Sequence, residues 1–90
     1  MRRIPQFTRK FEKEVKLMEK RGKNMQNIKQ IIVMLNEGMT LPPVSQDHKL
    51  SGEFKDSREC HIESDWLLIY TLEGNYIRYE RTGTHSDLFE

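Results

Sequence analysis

Three histidines, His48, His61 and His85, all fall after residue 47, and Asp65 follows His61 by four residues. Imidazole takes up and releases protons near neutral pH, and a nearby carboxylate can fix its tautomer or stabilise its cation. Three chemistries compete for such a set. A metal site is not expected, because there is no H-E-x-x-H, Cys60 is the single cysteine, and a His61/Asp65 spacing chelates only on a helix. Nucleophilic hydrolysis lacks a G-x-S-x-G elbow, and alternation turns Cys60 inward. Gly83-Thr84-His85-Ser86 is too short for a P-loop phosphate cradle. The residue types suit metal-free RNA cleavage, with one group taking the 2′-hydroxyl proton, one protonating the 5′-oxygen, and cations around the phosphate.

These side chains need a scaffold. Phe7, Phe11, Val15 and Met18 recur at helical spacing, widened by Leu17, so a helix is expected near Thr8–Arg21, with Thr8 as N-cap and Gly22 as stop. A second helix is expected after Asn24, with Met25, Ile28, Ile31, Ile32 and Leu35 on one face and Gly38 at its end. Ile4 can start a short edge strand, limited by Pro5. Thr40-Leu41-Pro42-Pro43 breaks the helical pattern. Strands are then expected at Leu50–Phe54, Arg58–Ile62, Trp66–Leu72 and Tyr76–Arg81, joined by short turns and therefore antiparallel.

Trp66-Leu67-Leu68-Ile69-Tyr70 is apolar on both faces, which puts it in the middle of the sheet with cover on each side. Alternation pairs Cys60 with Ile62 on one face of its strand and places Glu59, His61 and Glu63 on the other. In the last strand it groups Ile77, Tyr79 and Arg81 against Tyr76, Arg78 and Glu80. The fold class is α+β: an N-terminal helical hairpin on a small twisted antiparallel sheet, one domain over residues 1–90.

Charge is unevenly spread behind a net of +1. Residues 1–30 carry ten Lys/Arg and three Glu, whereas residues 31–90 carry five basic and eleven acidic side chains. A polyanion meets the first third as attractive, and Lys10, Lys13, Lys16 and Lys20 lie opposite the apolar stripe of the first helix. No apolar run is long enough for a membrane span and no secretory signal is evident; with a lone cysteine, a reduced cytoplasmic setting is expected.

Three blocks carry a resemblance: D-H-K-L-S-G at 47–52, R-E-C-H-I-E-S-D-W-L-L-I-Y at 58–70 and E-R-T-G-T-H-S-D-L-F at 80–89, with K-x-x-K-x-x-x-K-R-G in the leading helix. Together they resemble the YafQ branch of the RelE/ParE toxin superfamily, from bacterial type II toxin–antitoxin pairs. The resemblance implies helices against a curved antiparallel sheet, and a ribosome-dependent endoribonuclease that cuts messenger RNA in the A site without a cofactor. The family pattern falls on His48, on His61 with Asp65, and on His85 with Phe89. It also implies a cognate antitoxin that wraps the toxin, with operator DNA contacted through the antitoxin. Two positions depart from the pattern. Glu59 stands where relatives often have Asp, and Ser64 replaces a common Pro, leaving the turn before Asp65 less constrained.

By that resemblance His85, on a tail free to close over RNA, is the general acid, and His61, His48 or Asp65 the base. Arg81 is a candidate phosphate clamp, or else a cross-strand partner of Glu59 or Glu63. Phe89 suits base stacking or docking on the sheet. Two other functions fit the same fold: a ParE-like toxin acting on a protein target, and a non-catalytic RNA-binding protein. A binder has little use for the histidine set, and RNA binders are usually more basic than +1.

Overall fold

The computed structural model describes residues 2–52 and 56–89. The chain runs β1 (Ile4–Phe7), α1 (Arg9–Lys20), α2 (Met25–Asn36), a 3-10 turn (Pro43–Ser45), β2 (His48–Lys49), β3 (Arg58–Glu63), β4 (Trp66–Glu73), β5 (Tyr76–Gly83) and α3 (His85–Phe89). Both helix starts are capped as expected. The Thr8 side chain accepts from the Phe11 N–H, and the Asn24 side chain from the Gln26 N–H. Gly22 and Gly38 follow the helix ends at φ +86° and +76°, a conformation that a Cβ disfavours.

The strand order is β1-β5-β4-β3-β2. The strands β2 to β5 pair antiparallel as expected, and β1 adds a parallel edge along β5. β4 is central because it is apolar on both faces. On one side Trp66, Leu68 and Tyr70 pack with Cys60, Ile77 and Tyr79 under Phe11, Met18, Ile28 and Leu35 of the two helices. On the other, Leu67 and Ile69 form a smaller cluster with Leu88 of α3 and Leu50. Burial is complete at Trp66, whose indole N–H donates to Thr82 Oγ1 at 2.9 Å, so the ring is apolar packing with its one donor satisfied.

Four expectations are corrected. Among the described residues the first sheet strand is His48–Lys49 and not the expected Leu50–Phe54: the Leu50 N–H still donates to the Ser57 carbonyl at 2.9 Å, Gly52 follows at φ +70°, and Glu53 and Phe54 are outside the described residues. Register shifts between His61 and Glu63, so Glu63 leaves the His61 face and instead receives Lys23 and Asn27 from the helical side. A second shift, where Tyr70 pairs Tyr79 but Ile69 pairs Arg81, turns Arg81 away from Tyr79 to the Ile69 face. The segment carrying His85 is a short helix and not a loose tail. At Glu63 and Arg81 one inserted residue overrides simple alternation, and at His85 a local cap closes the segment into a helix.

Candidate functional site

The two bulges and α3 build the open face, the side of the sheet away from α1 and α2. A continuous cross-strand row runs His48, Glu59, Ile69, Arg81, and the next row runs His61, Leu67, Gly83. Side chains on one face of neighbouring strands lie within reach of each other. The pairing therefore joins residues far apart in sequence over an apolar floor of Leu67 and Ile69.

Glu59 is the hub, and sequence reasoning left it out of the candidate set. Its carboxylate is 7% exposed, and its Oε1 lies 3.7 Å from His48 Nε2 and 3.8 Å from His61 Nε2. The signal was present in the alternation that puts it beside His61, but only the β2–β3 register reveals that it also meets His48. The His48 Nδ1–H donates to the Gln46 carbonyl at 2.6 Å, which leaves Nε2 as the nitrogen facing Glu59. Gln46 adopts φ +49° to present that carbonyl.

The second half of the site hangs on Asp65. Its Oδ1 accepts from His85 Nδ1–H at 2.6 Å and from the His85 backbone N–H at 3.0 Å. These bonds from His85, backbone first, hold the Asp65 carboxyl below its ordinary range. Asp65 thus stays an acceptor and leaves His85 Nε2 for an incoming group. The imidazoles of His61 and His85 stand edge to face with centroids 5.9 Å apart, and Phe89 follows at 6.5 Å from His85. Phe89 keeps 44% of its surface exposed.

What places α3 is a reciprocal cap. The Thr84 N–H donates to Asp87 Oδ2 at 2.9 Å, and the Asp87 N–H donates to Thr84 Oγ1 at 3.2 Å. From α1, Arg21 reaches Asp87 at 2.7 Å and, with Thr84, lowers its carboxyl to about 2. Gly83 permits the close approach, because a Cβ there would sit 2.8 Å from Asp87 Cβ.

The cationic candidates divide. Arg81 meets neither Glu59 nor Glu63; it forms a bidentate pair with Glu14 of α1 at 2.7 to 2.9 Å, which fixes its guanidinium at the α1 edge of β5 and holds it charged. Lys10, Lys13, Lys16 and Lys20 are all exposed along α1. Burial pushes the Cys60 thiol up to about 12, so it is no nucleophile.

The sequence spacing gives no metal motif, yet the sheet gathers possible ligands. Glu59, His61 and His85 each offer one ligand atom, all within 4.8 Å of one another. Two imidazoles and a carboxylate suit a first-row transition ion. Among the described residues, no helix is long and apolar enough to cross a membrane.

Residues 3–90 match the family described as bacterial toxin of type II toxin-antitoxin system, YafQ. The chain belongs to the YafQ toxin family. It is 44% identical over 85 residues to the mRNA interferase toxin YafQ of Escherichia coli K12, covering 93% of this chain and 92% of the relative. The crystal structure of the E. coli DinJ-YafQ toxin-antitoxin complex is similar at TM-score 0.93 and 41% identity, each chain covered completely. A metal-bound toxin from Helicobacter pylori is similar at TM-score 0.89 and 34% identity, over 99% of this chain and 100% of that one. The YafQ family membership agrees with the α+β reading, and the three sequence blocks fall on the elements that build the open face.

Proposed function

We propose that this YafQ family toxin is an mRNA interferase, an endoribonuclease that cuts messages within the ribosomal A site. One observation carries it: His48, His61 and His85, from two strands and a helix, converge around Glu59 and Asp65 on one open face. His61 takes the 2′-hydroxyl proton, and the freed oxygen bonds to the adjacent phosphorus. The P–O5′ bond breaks, and His85 gives the leaving oxygen its proton, so a cyclic 2′,3′-phosphate and a 5′-hydroxyl result. Asp65 orients His85, and Glu59 orients His61 and His48. Arg81 and His48 lie on one cross-strand row, from which they can meet the non-bridging phosphate oxygens. Phe89 stacks on a neighbouring base, Lys13, Lys16 and Lys20 of α1 face ribosomal RNA, and Lys10 lies nearer the message.

The reading also covers setting and partners. Residues 1–90 act as one cytoplasmic domain, neutralised by a cognate antitoxin, with operator DNA met through that antitoxin. A relative crystallised with DinJ supports the antitoxin partner. A translating extract with primer extension tests the activity beside naked RNA of the same sequence. Cuts are expected only in translated message, and His85→Ala is expected to lower them by about 10² to 10⁴-fold. Parental cutting by that variant would place the acid elsewhere, and no cutting by the parent would remove the nuclease reading.

A further inference from the structure

A cleft of about 570 Å³ opens on the same face as the histidines, lined by residues that include Lys10, Ser57, Thr71, Arg78, Glu80 and Arg81. Its wall is a connected polar chain. Ser57 Oγ and Thr71 Oγ1 are hydrogen bonded at 2.9 Å, Thr71 Oγ1 donates to Glu80 Oε2 at 2.8 Å, and Arg78 Nε donates to the same oxygen at 2.8 Å. Both hydroxyl residues are buried, so this wall is pre-organised. Three features are left over for a ligand. Among the described residues Glu80 Oε1 has no donor, the terminal nitrogens of Arg78 have no acceptor, and Lys10 has no ion-pair partner. Asp56 adds a second carboxylate to the lining.

The position relative to the catalytic histidines is set by register. Thr71 pairs with Arg78, two residues along β4 from Ile69 in the His48–Glu59–Ile69–Arg81 row. That is about 7 Å along the strand, one step of an extended single strand, and a further step of the same length reaches Leu67 beside His61. Arg81 lines the cleft and also belongs to the first of these rows, so the two regions are continuous.

We propose that this cleft is a subsite of the same groove, resting on the nuclease reading above, and that it holds one nucleotide of the message beside the cut, with its phosphate on Arg78 and Lys10 and its base edge on Glu80. The carboxylate only accepts hydrogen bonds. It therefore favours a base with an exocyclic amino group, which adenine, cytosine and guanine carry. Uracil brings one ring N–H between two carbonyl oxygens, and those oxygens are repelled. Glu80 is thus a specificity-determining residue, and Arg78 with Lys10 binds without regard to sequence.

The test uses the full chain on purified ribosomes programmed with messages permuted one base at a time around the cut. For the parent, uracil at one fixed position is expected to lower cutting about tenfold, the effect of one good base contact. Glu80→Gln, whose amide also donates, is expected to shrink that penalty to about twofold. Arg78→Ala is expected to raise the protein concentration for half-maximal cutting about tenfold for every message, with the maximal rate kept, and Arg78→Lys to recover part of it. Lys10→Ala, at an exposed helix position, carries the phosphate arm if either β5 variant fails to fold. Parental cutting joined to unchanged base preference and unchanged half-maximal concentration in these variants would overturn the subsite and leave the nuclease standing. A parent that cuts no message would remove both.

Discussion

The two faces of the sheet are built on different terms. Beneath the helices, Trp66, Leu68, Tyr70, Cys60, Ile77 and Tyr79 interlock with α1 and α2, and each is at most 1% exposed. On the open face the apolar cluster is Leu67, Ile69 and Leu88 with Leu50 beside it, and the polar side chains above it are held by hydrogen bonds and short polar contacts. β4 serves both faces, so the rigid core supplies a fixed floor under groups that each contribute little packing. Stability and chemistry are thereby separated onto opposite sides of one strand, and a surface histidine can be replaced with small effect on folding.

The sharpest way to break this comparison is a pair of truncations. Trp66→Ala removes the largest fully buried side chain and the donor to Thr82 Oγ1, and is expected to cost about 3–5 kcal/mol. In a domain whose whole stability is about 5–15 kcal/mol, that removes a large share of it. His85→Ala removes a ring that is more than half exposed and is expected to shift stability by no more than about 0.5 kcal/mol. Chemical denaturation of both variants checks this. Comparable losses at the two positions would mean that α3 belongs to the cooperative core and that the faces are not independent.

A smaller effect is expected from the charge on α1. Lys10, Lys13, Lys16 and Lys20 are exposed, so changing all four to Glu is expected to leave the melting transition near the parental one. Ribosome association is expected to weaken about tenfold or more at low salt, with a flatter dependence on salt concentration. Cosedimentation across a salt series measures both. Unchanged association would assign ribosome contact to side chains other than these four lysines.

Much of the scaffold was legible because it rests on periodicity and caps. Phe11, Val15 and Met18, the Thr8 and Asn24 caps, and the doubly apolar run from Trp66 to Tyr70 each state their structure locally. The site was less legible because it depends on pairing between segments. His48, His61 and His85 stood out as residue types, but the role of Glu59 rests on His48 lying opposite it in the β2–β3 ladder. The redirections of Glu63 and Arg81 come from bulges, and one inserted residue inverts every alternation argument downstream of it. α3 was missed for a related reason. Five residues are too few to show a helical period, and its cap needs Asp87 to be shared between Thr84 and an arginine 66 positions away.

That shared carboxylate gives the smallest effect and the one that tests how the two faces are joined. Arg21 leaves the end of α1 on the helical side and grips Asp87 in α3 on the other, so the pair is a tie around the sheet. Arg21 first, and the Thr84 N–H next, lower the Asp87 carboxyl to about 2, whereas an unfolded Asp titrates near pH 4. A group whose folded pKa is depressed adds stability fully above its unfolded value and loses it as pH falls through the folded one. The contribution is therefore expected to be complete at pH 7 and to fade between about pH 4 and pH 2. Thermal melts of parent and Arg21→Ala should differ by a few degrees at neutral pH, with the parent higher, and the gap should close across that acid window. Both side chains are partly exposed, so added salt should narrow the gap at pH 7 as well. A gap that persists unchanged at pH 2 would show that Arg21 acts through the packing of its aliphatic stem, and the tie between α1 and α3 would then owe nothing to charge.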